Sequence, residues 1–99
     1  MNAPRFFAAA AFLLAPMIGA MAAAPESPAG ASSCSGCHPA NTGIDTPIPR
    51  LNGRNAAEIS EQMKTFRAGQ RSATVMGRIA KGFSDDEIEA IAAWYAEQR

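Results

Sequence analysis

Cys34-Ser35-Gly36-Cys37-His38 holds the only two cysteines and the only histidine of the 99-residue chain. C-x-x-C-H is the attachment pattern for c-type haem, and the chemistry needs all three residues together. Each thiol adds across one haem vinyl group to form a thioether, and the two intervening residues set the span. The adjacent imidazole is then held where its nitrogen can ligate iron. Three other uses of the pentapeptide fit less well. A disulfide between Cys34 and Cys37 would close too short a loop to restrict the unfolded chain usefully. A thioredoxin-like redox pair needs a strand–helix–strand context, and none is visible. A structural zinc site normally takes four ligands, and beyond these three only carboxylates remain.

Toward the N-terminus, Arg5 precedes an almost wholly apolar, alanine-rich run from Phe6 to Met21, and small residues continue to Ala24. This reads as a secretory signal peptide over residues 1–22. Cleavage after Ala22 places Ala20 at the −3 position and keeps Pro25 away from the cut. The competing reading is an uncleaved anchor, because the run approaches the length of a spanning helix. Cleavage after residue 22 of 99 leaves 77 residues, enough for one domain. A chain that short usually needs a staple, and a covalent haem would serve. Residues 23–30 read as a flexible lead-in, and 31–99 as the monohaem domain.

Toward the C-terminus, a short helix is expected from about Ala31–Ser33 through His38, stopped by Pro39. Pro39 to Gly53 is rich in Pro, Asn, Thr, Gly and Asp and reads as loop. Its length suggests a binding role, with wrapping of one haem edge the natural task. Asn55 and Glu58 have capping-box spacing, and Ile59, Met63 and Phe66 follow on one helical face. Gly69 stands where a helix-terminating glycine belongs. Ser84 and Glu87 form a second capping box before the stripe Ile88, Ile91, Ala92 and Tyr95. Asp85 and Asp86 suit the positive end of that helix, which is expected to run from about Asp85 to Gln98. No segment alternates convincingly as a strand, so the domain is expected to be all-α.

A second axial ligand must come from elsewhere, and beyond residue 22 the chain offers two methionines. Met63 lies on an apolar helical stripe and reads as a core side chain. Met76 lies between the two capped helices, with Val75 and Ile79 as shielding neighbours, and is the expected thioether partner of His38.

The single C-x-x-C-H, the Ile48-Pro49-Arg50-Leu51-Asn52-Gly53 loop and the downstream methionine together resemble a small class I cytochrome c. More closely, Met63-Lys64-Thr65-Phe66-Arg67-Ala68-Gly69 and Ala73-Thr74-Val75-Met76-Gly77-Arg78-Ile79-Ala80-Lys81-Gly82 resemble the cytochrome subunit of flavocytochrome c sulfide dehydrogenase. The resemblance covers essentially all of the chain beyond the leader. It implies three to four helices around one covalently bound haem c, with the first and last helices crossing near one haem edge. It also implies that the Pro49 carbonyl accepts a hydrogen bond from His38, which would fix the ring and strengthen it as a donor. The competing reading of Pro49 is a simple turn residue. Some members of that family carry two haem domains, whereas this chain has attachment chemistry for one. Trp94 and Tyr95, at helical spacing, read as packing residues.

The nine basic and nine acidic residues balance, and loss of Arg5 with the leader leaves one net negative charge. That argues against nucleic acid as a partner. Arg67, Arg71, Arg78 and Lys81 flank Met76, and could steer an acidic redox partner or neutralise haem propionates. A solvated face is an equal reading for each side chain. Iron held by both His38 and Met76 has no open position, so outer-sphere electron transfer is expected, with no catalytic residue. The resemblance implies a periplasmic electron-transfer subunit docked to an FAD-containing, sulfide-oxidising flavoprotein and passing electrons to a soluble acceptor. The alternative is a free-standing cytochrome c shuttling between respiratory or photosynthetic complexes. A haem sensor or small haem enzyme would need an open iron site, which CO binding would detect.

Overall fold

In the computed structural model, residues 19–20 and 25–99 are described. The leader expected over residues 1–22 therefore lies outside the described residues, apart from Gly19 and Ala20. The described residues form four helices and no strand: α1 (Ala31–Cys34), α2 (Ala56–Arg67), α3 (Met76–Ala80) and α4 (Asp85–Glu97). None of them is long and apolar enough to cross a membrane.

The ends of the two long helices follow from their capping residues. Ser84 Oγ accepts the Glu87 backbone N–H at 3.2 Å, and the Glu87 carboxylate accepts the Ser84 N–H at 2.8 Å, completing the box at α4. At α2, Asn55 Oδ1 accepts the Glu58 N–H at 3.2 Å, but the return half is missing. The Glu58 carboxylate is taken instead by Arg54 and by Gln62. The C-terminus of α2 closes at Gly69, whose φ of +73° suits a residue without a Cβ. There Gly69 N donates to Phe66 O at 3.1 Å and Gln70 N to Thr65 O at 3.0 Å, the paired bonds of a Schellman ending.

α2 packs along α4, α3 packs on α2, and α1 touches α4. Two hydrophobic clusters fill the contacts. Ala31, Ile59, Ile91, Ala92 and Tyr95 form the first, with Cys34, Leu51 and Trp94 packed against it. Met63, Ala80 and Ile88 form the second, joined by Phe66 and Met76. Phe83 packs against both. Met63 is thus core, and the stripe Ile88, Ile91, Ala92 and Tyr95 is buried throughout. Ile88 is 1% exposed, a burial that contributes about 2 kcal/mol.

Two expectations about helix extent are corrected. The first helix does not run to His38: it ends at Cys34, and Ser35–Cys37 form a turn. Gly36 lowers helical propensity there, and Pro39 biases His38 away from the α region. Met76, expected between the two capped helices where the sequence predicts no helix, opens the five-residue α3.

Candidate functional site

Gly30 sets the entry to the Cys-Ser-Gly-Cys-His segment. Its φ of +84° turns the chain into α1, and its carbonyl accepts from Ser33 N at 3.2 Å and Ser33 Oγ at 2.6 Å. The Cys34 thiol lies 3.8 Å from the same carbonyl. Beyond α1, the Cys34 carbonyl accepts from both Cys37 N at 3.2 Å and His38 N at 2.9 Å. One carbonyl therefore anchors the turn that carries Cys37 and His38. The two thiols are not joined to each other; Cys34 is half-buried and Cys37 exposed. Burial pushes the Cys34 thiol up, against opposing hydrogen bonds from its own backbone, Ser33 and Tyr95.

His38 Nδ1 lies 2.6 Å from Pro49 O. A carbonyl only accepts, so Nδ1 carries the proton and Nε2 keeps the lone pair of the neutral ring. Which ring nitrogen keeps a lone pair is thereby specified by a backbone atom eleven residues away.

Met76 is placed on a different element from His38. It packs against the Met63–Ala80–Ile88 cluster, whereas Cys34 packs against the other cluster. Of the four basic residues near Met76, Arg67 is turned inward. It pairs with Asp85 and donates to Phe83 O at 3.1 Å. The Arg71 guanidinium lies 5.3 Å from the centre of the Phe66 ring. Arg78 and Lys81 are exposed and make no ion pair among the described residues. The basic rim read from the sequence is therefore reduced by one residue. Among the described residues, no group of three or more His, Cys, Asp and Glu side chains is placed to hold a metal ion by itself.

Sequence comparison places this geometry among known proteins. No family model matches the chain. It is 37% identical over 70 residues to cytochrome c-554(548) of Halomonas halodenitrificans, spanning 67% of this chain and 84% of that protein. The chain belongs to the class I cytochromes c. Within that family it is 38% identical over 63 residues to the cytochrome subunit of sulfide dehydrogenase of Chlorobaculum tepidum. That match covers 64% of this chain and 57% of the relative. A thiosulfate dehydrogenase electron acceptor of Stutzerimonas stutzeri is 37% identical over 67 residues, with 64% of this chain and 31% of the relative covered. The chain thus spans little more than half of one of these two longer relatives and a third of the other. Class I cytochromes c are all-α electron carriers with haem c as cofactor.

The residues of this class I chain fit that group. An imidazole nitrogen with a free lone pair and two unjoined thiols stand within one short segment. A flat, largely apolar ring also needs apolar side chains beside it. Ile44, Ile48, Val75 and Ile79 are 54%, 39%, 50% and 40% exposed, and they are the large hydrophobics left open among the described residues. They occur only on the two segments that carry Pro49 and Met76.

Two features of the site had little or no sequence signal. Tyr95 Oη donates to Ala31 O at 2.6 Å across 64 residues of chain. Phe83 stands against Gly30. A single tyrosine on an apolar stripe marks burial but does not identify the acceptor.

Proposed function

We propose that this chain is a periplasmic monohaem cytochrome that accepts electrons from an FAD-containing, sulfide-oxidising flavoprotein and passes them to a soluble redox acceptor. Cys34 and Cys37 would hold one haem c through thioethers, His38 and Met76 would ligate its iron, and Pro49 would orient His38. Haem c, when bound, supplies one-electron redox chemistry. The Pro49 carbonyl retains the Nδ1 proton and makes the imidazole a stronger donor through Nε2. A Met76 thioether on the iron would favour its lower oxidation state and so raise the potential. Two protein ligands leave no position for a substrate, so the role is transfer and not catalysis. The observation that carries the reading is the His38–Pro49 bond of 2.6 Å beside two unjoined thiols.

Residues 31–99 are the haem domain, 23–30 the lead-in, and 1–22 a signal peptide cleaved near Ala22, leaving no membrane span. N-terminal sequencing of the exported protein should begin at Ala23; a start at Met1 would indicate a retained anchor. The sulfide assignment is supported by the relative from Chlorobaculum tepidum and by the Met63–Gly82 segment. Mixing the oxidised protein with a sulfide-oxidising flavoprotein and sulfide should reduce the haem. No reduction, and no complex between the two proteins, would count against the subunit role.

A second reading is a free-standing electron shuttle, favoured by the 84% coverage of the small Halomonas cytochrome. It predicts a monomer on gel filtration of the native extract, with no flavin co-eluting.

A further inference from the structure

We infer that Tyr95 is a positioning residue for His38, holding both the segment that bears the imidazole and the loop that bears its hydrogen-bond acceptor. The inference rests on the reading of His38 as an iron ligand. Tyr95 is 3% exposed and works through two separate groups. Its hydroxyl donates to Ala31 O at 2.6 Å, at the first residue of α1. Its carbonyl accepts from Gly53 N at 2.9 Å, as well as from Gln98 N at 3.1 Å.

Both connections are short in sequence and lead to the same bond. From Ala31, one helical turn reaches Cys34, whose carbonyl anchors His38 N. From Gly53, a tight turn closed by Arg54 N on Leu51 O at 3.1 Å leads back to Pro49. Gly53 has φ +74°, and a Cβ built there would lie 3.4 Å from Gln98 O, so the turn lies close against the end of α4. Leu51 packs on the Tyr95 cluster between these points. His38 Nδ1 and Pro49 O meet at 2.6 Å where the two connections converge. α1 is only four residues long, with Ala31 its one buried side chain and Cys34 packed part-buried beside it, so the hydroxyl is one of few contacts that hold it. A looser α1 weakens the Nδ1–H bond and makes the imidazole a poorer donor to iron.

The test uses the haem-loaded protein. Tyr95→Phe keeps the ring, its edge-on contact with Trp94 and the carbonyl connection, and removes only the hydroxyl. The expected result is exchange of the His38 Nδ1 proton about fivefold faster, matching loss of one net hydrogen bond, with a raised reduction potential. Ser84→Ala, which destabilises α4 at its far end, should change neither. Tyr95 is the only tyrosine in the chain, so biosynthetic fluorotyrosine labels this position alone. Its more acidic phenol should slow the exchange without altering the fold, which keeps the test decisive if Tyr95→Phe fails to fold. Unchanged exchange and potential in a folded Tyr95→Phe, or equal changes in Ser84→Ala, would overturn the inference alone. If the wild-type His38 ring shows no iron-shifted resonances, the ligand reading falls and the inference falls with it.

Discussion

Phe83 occupies the space that a side chain on Gly30 would need. A Cβ built on Gly30 would lie 2.5 Å from Phe83 Cε1, and the Gly30 φ of +84° is itself unfavourable for any L residue. Gly30→Ala should therefore cost about 2 kcal/mol, read as a lowered midpoint in chemical denaturation. Phe83→Leu in the same background should recover part of the loss. Additive effects of the two substitutions would show that they do not interact through this contact.

The two methionines should separate cleanly. Met76→Ala is expected to abolish the weak near-infrared sulfur-to-iron band of the oxidised protein while the chain stays folded. Met63 is 8% exposed in the core, so Met63→Ala should keep the band and cost about 3 kcal/mol. Persistence of the band in Met76→Ala would remove Met76 from the iron.

The caps of the long helices give a graded pair. Ser84→Ala breaks a reciprocal box and should lower stability by about 1 kcal/mol. Asn55→Ala removes a single bond, so a smaller loss is expected. Equal losses in thermal or chemical unfolding would mean that the return bond from Glu87 adds nothing.

Acid should weaken the α2–α4 contact through two carboxylates. Hydrogen bonds from Lys64 and then Ser60 hold Glu89 below its ordinary value of 4.5. Hydrogen bonding and then the charge of Arg67 hold Asp85 below 3.8. A depressed folded pKa contributes stability that is complete above the unfolded value and is lost as pH falls through the folded one. Unfolding followed from pH 7 downward should thus show no loss from these pairs until below about pH 4.5. Glu89→Gln should flatten the acid limb without altering its neutral-side plateau shape.

What the chain disclosed in advance was local. The Ser84–Glu87 spacing, the Gly69 stop and the apolar stripe of α4 each act within a few residues, and each stands where the sequence places it. Glu58 has the same spacing from Asn55, yet Arg54 competes for its carboxylate, so only half of that box forms. α3 was not legible as a helix, since Val75 provides no side-chain cap and five residues carry little periodicity. Arg67 looks like a surface charge in sequence and is drawn inward by Asp85, eighteen residues on. The Tyr95–Ala31 bond spans most of the domain, beyond the reach of any pattern. The motif at Cys34–His38 is legible as a pattern, but not what holds it in place.

The slight anchorage of α1 sets where the fold opens first. The Tyr95 hydroxyl, Ala31 and the half-buried Cys34 fasten it, while α2, α3 and α4 bury further contacts without it. Unhooking that fastening costs far less than melting the remainder. The segment carrying Cys34 and Cys37 is therefore expected to open before the α2–α4 contact does, which amide hydrogen exchange would read as faster exchange in α1 than in α4.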